Sequence, residues 1–462
     1  MKRLLAGLLG LSLTLTATAA GLPKSVSSAL KEAAIPLSAV SVVVEKKGSR
    51  SPYISLNAQQ ADNPASTMKL LTTYAALDML GPAYTWKTEA WLEGELHNGV
   101  LKGNLVLKGY GDPKFTIEQF WLWLSELRAR GLREIHGNLI LDRSFFTLPA
   151  YDPGEFDNDP VRAYNVGPDA LLLNFNTLRL HYLPDGDRMK IVAEPALDSL
   201  KLDNRLTAQP ASGDCDNWDD SILIQTGGDR IVLEGGYPGD CGERAHNLSL
   251  MSHTRYAETI FRGIWQQLGG TLTGEVREGI TPTAATLFST HASEPLSGII
   301  RDINKFSNNV MARQLFLTLG ANDHATLAQS DDAVRRWLEQ QGLNFPELVL
   351  ENGSGLSRKE RISAKHMADL LQHAAAHPLS AELEASLPIL GVDGSVKKRL
   401  KGTAAASHAH LKTGTLTGVK TIAGYVRSVH GQEWIVVFFI NHPNARRAQA
   451  AQDALIEWVQ QR

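Results

Sequence analysis

Cysteine is nearly absent: the 462-residue chain has two, which excludes a disulfide-dense scaffold. Positive charge has no surplus either. Lys and Arg number 46 against 49 Asp and Glu, the formal net charge is −3, and no basic stripe is visible. Nucleic-acid binding needs clustered cations to neutralise phosphates, so that class of function is disfavoured. No later apolar run reaches the ~20 residues of a membrane-spanning helix, and no internal repeat stands out. What is present is ordinary for a folded protein: 43% hydrophobic and 21% charged residues, with 39 Gly and 20 Pro. Disorder and collagen-like repeats are thereby ruled out. At about 100–200 residues per domain, the length predicts about two to four domains.

Residues 1–20 read as a signal peptide rather than as part of the fold. Lys2 and Arg3 form a positive start, residues 4–15 an apolar core, and Ala17, Thr18, Ala19 and Ala20 a small-residue stretch before cleavage. The apolar core is too short to span a bilayer of about 30 Å. Export changes the reading of Cys215 and Cys241, which share a Gly- and Asp-rich stretch. An oxidising compartment lets them pair, and a closed loop of this size contributes about 3–4 kcal/mol in the chain-entropy model. Two isolated buried thiols are the alternative.

The pattern along the chain mixes strands and helices. Residues 39–45 (AVSVVVE) read as a buried strand and residues 51–59 as a shorter one; Asp62, Asn63 and Pro64 then break the chain. Met68, Leu71, Ala75 and Met79 recur at helical spacing from Ala65, and Gly81-Pro82 ends that helix. Short strands at 86–92, 104–107 and 137–142 alternate with a helix at 117–130. Further strands are expected at 189–193, 222–226 and 230–234, and a helix at 254–268. Near the C-terminus, residues 420–429 and 433–440 form a hairpin signal around His430-Gly431. Residues 445–460 follow as an amphipathic helix with Ala448, Ala451, Leu455 and Val459 on one face.

Three short patterns carry chemistry: Ser66-Thr67-Met68-Lys69, Ser307-Asn308-Asn309 and Lys412-Thr413-Gly414. Ordinary residue usage yields about one or two chance matches to S-x-x-K or S-x-N in a chain this long, but only about 0.1 to K-T-G. Ser28…Lys31 and Ser395…Lys398 also fit the first pattern, and Ser55…Asn57 the second. Context separates them. Ser66 follows a turn and opens a predicted helix, whose N-terminus stabilises developing negative charge. Lys69, one turn later on the same face, can reach the hydroxyl. Lys412 lies in an extended, Thr-rich segment before the hairpin. Ser307 lies between two predicted helices.

In this order the three patterns resemble those of the penicillin-recognising serine enzymes. The chain is more similar still to the D-alanyl-D-alanine carboxypeptidase/endopeptidase branch, the class C low-molecular-mass penicillin-binding proteins. The similar stretches are residues 64–69 (PASTMK), 104–113 (NLVLKGYGDP), 304–309 (NKFSNN), 352–358 (NGSGLSR) and 411–415 (LKTGT). One departure is Ser-Asn-Asn in place of Ser-Asp-Asn.

The resemblance implies an α+β fold: a β-lactamase/transpeptidase-like catalytic domain, with an antiparallel sheet flanked by helices, and two inserted mainly-β domains. The catalytic domain is expected at 21–86 and 283–462, the first insert at 87–108 and 185–282, and the second at 109–184. The implied activity is that of a serine D,D-carboxypeptidase and endopeptidase. Its partners would be peptidoglycan peptides ending in D-Ala-D-Ala, with β-lactams as covalent inhibitors, in the periplasm and without cofactor or metal. A homo-oligomer is compatible with the sequence.

The roles follow the motifs. Ser66 is the expected nucleophile, and Lys69 its base, which requires a pKa well below the ~10.4 of a free lysine; burial and Lys412, drawn to the same hydroxyl, push it that way. Ser307 relays a proton to the leaving amine, and Asn309 holds the substrate amide. Lys412 and Thr413 bind the terminal carboxylate, and Gly414 lets the strand approach the substrate. The backbone N–H groups of Ser66 and Thr415 form the oxyanion hole. Arg358 and Asp152 match positions that grip the peptide side chain. Asp157 and Asp159 rival Asp152, which also reads as a plain turn residue, and Arg358 also reads as a surface ion-pair partner.

Other features are set aside. His373 and His377 have helical metal-pair spacing without the acidic residue of H-E-x-x-H, and read as a solvated helix end. A β-lactamase is the rival enzyme, although usually much shorter. A peptidoglycan-binding scaffold without turnover is the rival from outside enzymology, and the intact Ser66/Lys69 pair argues against it.

Overall fold

The computed structural model describes residues 21–49, 51–186, 188–196, 201–209, 215–227, 230–321 and 324–462. The expected signal peptide at 1–20 lies outside them.

Both ends of the chain build one five-stranded antiparallel sheet, in the order Ala409–Leu416, Val419–Arg427, Glu433–Asn441, Val40–Lys46, Ile54–Leu56. Val40 pairs with Ile440 and Lys46 with Trp434, so the N-terminal strand sits inside the C-terminal hairpin's sheet. The near-continuous apolar runs of these strands follow from burial on both faces. Val40, Val42, Val44, Val436 and Phe438 pack on the side of the helices Lys24–Glu32 and Gln449–Gln460. Val43, Ile435, Val437 and Phe439 face the helices Lys69–Leu80, Leu296–Phe306, Asn309–Leu319 and Ala364–Ala376. Side chains two residues apart share a face, and the split obeys that period. The predicted stripe Ala448, Ala451, Leu455 and Val459 is fully buried against this sheet.

The chain between Trp86 and Ala292 forms two further sheets. One runs Thr271–Leu272, Glu134–Ile135, Val100–Gly109, Lys87–His97, Thr286–Ala292, with Leu139–Asp142 and Val276–Glu278 attached; the other is six-stranded and runs from Leu178 to Leu248. One hydrophobic cluster, including Leu105, Trp123, Tyr182, Leu233 and Trp265, joins them. Strand pairing draws the divisions differently from those expected. Val100–Gly109 pairs with Leu139–Asp142 across the expected 108/109 boundary, and Leu178–Asp185 with Arg188–Glu194 across 184/185. The nested unit is therefore the 178–248 sheet, not 109–184. Thr286–Ala292 returns antiparallel to Lys87–His97, so entry and exit of the insert lie side by side beyond the expected boundary at 282/283. Cys215 and Cys241 are joined by a disulfide within the nested unit, with Cα atoms 5.4 Å apart.

Candidate active site

The turn before Ser66 is held from three directions. The Asn63 side chain accepts the Ala65 N–H and donates to the Ser357 carbonyl, each at 2.8 Å, and Asn441 accepts the Asn63 N–H at 2.9 Å. Thr67 and Thr421 both donate to the Pro64 carbonyl at 2.7 Å. Ala65 is thereby fixed at φ 45°, a conformation that a non-glycine residue adopts at some cost. The helix predicted from Ala65 starts as a single 3-10 turn, Ala65–Met68, and becomes α-helical only at Lys69. Ser66 thus stands at the N-terminal mouth of a 12-residue helix, 9% exposed.

Lys69 is fully buried. Its Nζ lies 3.1 Å from Ser66 Oγ and 2.6 Å from Asn309 Oδ1, and it also contacts the Ser354 carbonyl. Burial, first of all, holds its pKa well below the ordinary lysine value, and the Lys412 charge adds to the effect while Glu360 opposes it. Lys412, also fully buried, donates to Ser307 Oγ at 2.8 Å and to the Thr413 carbonyl at 2.7 Å. Burial lowers its pKa to about 7. The two lysines therefore do not share one hydroxyl as expected: Lys69 takes Ser66 and Lys412 takes Ser307.

The Ser-Asn-Asn stretch is a junction between two helices. Ser307 closes Leu296–Phe306 in the left-handed region at φ 57°, and Asn308 caps Asn309–Leu319 by accepting the Met311 N–H at 3.0 Å. Aspartate and asparagine are equivalent N-caps, so the departure from Ser-Asp-Asn keeps this cap. Asn309 Oδ1 is occupied by Lys69, leaving its Nδ2 without a partner among the described residues.

Lys412, Thr413, Gly414 and Thr415 lie on the edge strand Ala409–Leu416, whose outer side is paired with residues 388–390 only as far as Leu411. A Cβ on Gly414 would overlap Thr421 Oγ1 and crowd Ala65 and Pro64. The glycine expected to admit substrate thus admits the turn that carries Ser66. Thr413 Oγ1 lies 2.7 Å from Ser395 Oγ.

Arg358 is exposed, donates to the Thr417 carbonyl at 3.2 Å, and stacks 4.5 Å over the ring of Phe156 from the insert. Phe156 packs in turn on Ala65, Leu356, Leu416 and Val419, so an inserted loop reaches the rim of the site. In that loop Asp152 accepts the Gly154 N–H at 2.8 Å, the geometry of a turn residue. Its rivals are committed locally: Asp157 to Tyr164 and Asn165, and Asp159 to Arg162. His373 and His377 are not a solvated helix end. His373 Nδ1 is 2.7 Å from the Tyr74 hydroxyl and His377 Nε2 is 2.9 Å from Asp78.

Sequence reasoning missed Glu360. It is fully buried, and its Oε1 accepts the N–H groups of Glu351, Asn352 and Gly353 at 3.2, 3.0 and 2.9 Å. It thereby shapes the loop whose Ser354 carbonyl meets Lys69. Burial pushes its own carboxyl up, toward the neutral form, which weakens its opposition to a neutral Lys69. No local pattern marks it, because its partners are backbone amides.

Known proteins resemble this chain over most of its length. The chain is 28% identical over 384 residues to the D-alanyl-D-alanine carboxypeptidase DacB of Haemophilus influenzae, covering 82% of this chain and 80% of the relative. It is 29% identical over 457 residues to the D-alanyl-D-alanine carboxypeptidase of Actinomadura sp. strain R39, covering 94% and 83%. Crystallographic penicillin-binding protein 4 (dacB) from H. influenzae superposes with a TM-score of 0.78 at 25% identity, over 93% of this chain and 99% of that one. The family model spans residues 22–462, taking in both chain ends that meet at Ser66 and the inserts between them, and the chain belongs to the D-Ala-D-Ala carboxypeptidase 3 (S13) family.

Proposed function

We propose that this chain is an exported serine D,D-carboxypeptidase and endopeptidase that acts on peptidoglycan peptides in the periplasm, with Ser66 as nucleophile and Lys69 as its base. One observation carries the reading: Lys69 is fully buried with its Nζ 3.1 Å from Ser66 Oγ, and burial, with the Lys412 charge beside it, favours the uncharged amine. Such an amine has two N–H groups and one lone pair. In that form the N–H groups serve Asn309 and Ser354, and the lone pair is left to accept the proton of Ser66, whose Oγ lies 3.1 Å away.

Ser66 Oγ bonds to the carbonyl carbon between the two D-alanines as its proton passes to Lys69. The oxyanion forms within reach of the Ser66 and Thr415 N–H groups. The C–N bond then breaks, and the departing amine takes a proton through Ser307, which Lys412 holds in place. Water hydrolyses the ester and restores Ser66. The edge strand aligns the peptide as an added strand, Asn309 Nδ2 holds its amide, and Lys412 and Thr413 meet the terminal carboxylate. Arg358 and Asp152 contact the peptide side chain, at the rim that Phe156 completes.

A fluorescent penicillin tests this. Wild-type protein is expected to be labelled stably and Ser66→Ala not at all. Rapid release of the label would indicate a β-lactamase, and no labelling of wild type a binding scaffold.

A further inference from the structure

A groove of about 620 Å³ opens beside Ser307. It begins at Phe306, the residue before Ser307, and at Gly394, whose neighbour Ser395 holds Thr413. This is the end of the site at which, on the reading above, the amine departs. An exopeptidase releases only a single alanine there, which would leave such a groove empty. Cleavage of a cross-link releases an amine that is still part of a second peptide strand.

The lining suits such a strand. Phe306 is 72% and Val392 47% exposed, so two apolar side chains stand uncovered in the groove. The carboxylates along it are committed: Glu294 and Asp302 to Lys114, at 3.0 and 2.9 Å, and Asp393 to Lys305 at 2.7 Å. Arg301 and Lys397 also line it, both exposed; the Arg301 charge acts on Asp393, but among the described residues neither side chain is in a hydrogen bond or close ion pair. The uncommitted charge of the groove is therefore positive. The Lys114 pairs tie the insert to helix Leu296–Phe306, and the Lys305 pair ties that helix to the 388–394 loop, so the walls are braced before any ligand arrives.

We propose that this groove is the subsite for the second strand of a cross-linked peptide, with Arg301 and Lys397 pairing with that strand's free carboxylates and Phe306 and Val392 covering its aliphatic parts. The assignment deepens the peptidase reading and rests on it.

The test compares kcat/KM for a cross-linked peptide dimer with that for an uncross-linked pentapeptide ending in D-Ala-D-Ala. In the double variant Arg301→Gln, Lys397→Gln the dimer-to-pentapeptide ratio is expected to fall roughly three- to tenfold, mostly through KM, the size expected for two solvent-facing ion pairs. Amidating the second strand's carboxylates is expected to lower the ratio on unmodified enzyme by a similar factor, without any change to the protein. A ratio unchanged in both experiments would overturn the subsite while leaving the peptidase reading intact; a wild type that cleaves the pentapeptide but not the dimer would overturn the subsite and the endopeptidase half of that reading, leaving the carboxypeptidase. Absence of penicillin labelling would overturn both.

Discussion

At the scale of single residues the site turns on two buried amines, those of Lys69 and Lys412. The pairing of Ser66 with Lys69 was legible because it is local, three residues apart on one helix. The anchoring of Lys69 by Ser354 and Asn309 was not, since those residues arrive from distant segments of the chain. Glu360 left no trace for another reason: its partners are near in the chain but are backbone amides, which no residue pattern marks. Lys412 carries a consequence for stability. Its folded pKa of about 7 lies below the ~10.4 of an unfolded chain. The unfolded state therefore binds more protons between those values, and the destabilisation is complete below about pH 7 and relieved toward pH 10. Replacing Lys412 with methionine is expected to abolish peptidase activity yet raise the melting temperature by several degrees at pH 7, with the gain shrinking by pH 10. A variant that melts below wild type at pH 7 would contradict the idea that Lys412 is held at an energetic cost.

At the scale of elements, most of the predicted strands and helices fall within a few residues of the observed ones, because their periodicity is strong. The departures have local causes. The strand expected at 51–59 is only Ile54–Leu56, the short stretch that pairs with Val42–Val44. The helix that carries Ser66 begins with a 3-10 turn because Ala65 is held at positive φ. That turn depends on its neighbour loop: Gly355 sits at φ +78°, and a Cβ there would overlap the Ala65 carbonyl oxygen. Gly355→Ala is therefore expected to slow penicillin acylation at least tenfold and to destabilise the fold. Gly402→Ala, at φ +82° with open space around it, costs only the strain of that conformation, about 1–2 kcal/mol, and keeps normal acylation. Equal effects of the two substitutions would refute the packing argument.

At the scale of the whole molecule, the fold brings a helix from the first part of the chain against a strand from the last, and the insert reaches back to the same rim through Phe156. The catalytic core was legible because its motifs and apolar runs are dense. The division of the inserts was not, since it is decided by pairings such as Val100–Gly109 with Leu139–Asp142, across an intervening helix. The central claim is that this assembly keeps Lys69 uncharged to serve Ser66. Its most direct test is the acylation rate by a fluorescent penicillin, followed against pH, in wild type and in Lys69→Ala, with the melting temperature of each recorded. The expected result is a wild-type rate that rises with pH as one group deprotonates, and a folded Lys69→Ala protein that is not acylated at any pH. A folded Lys69→Ala protein acylated at the wild-type rate would show that Lys69 is not the base.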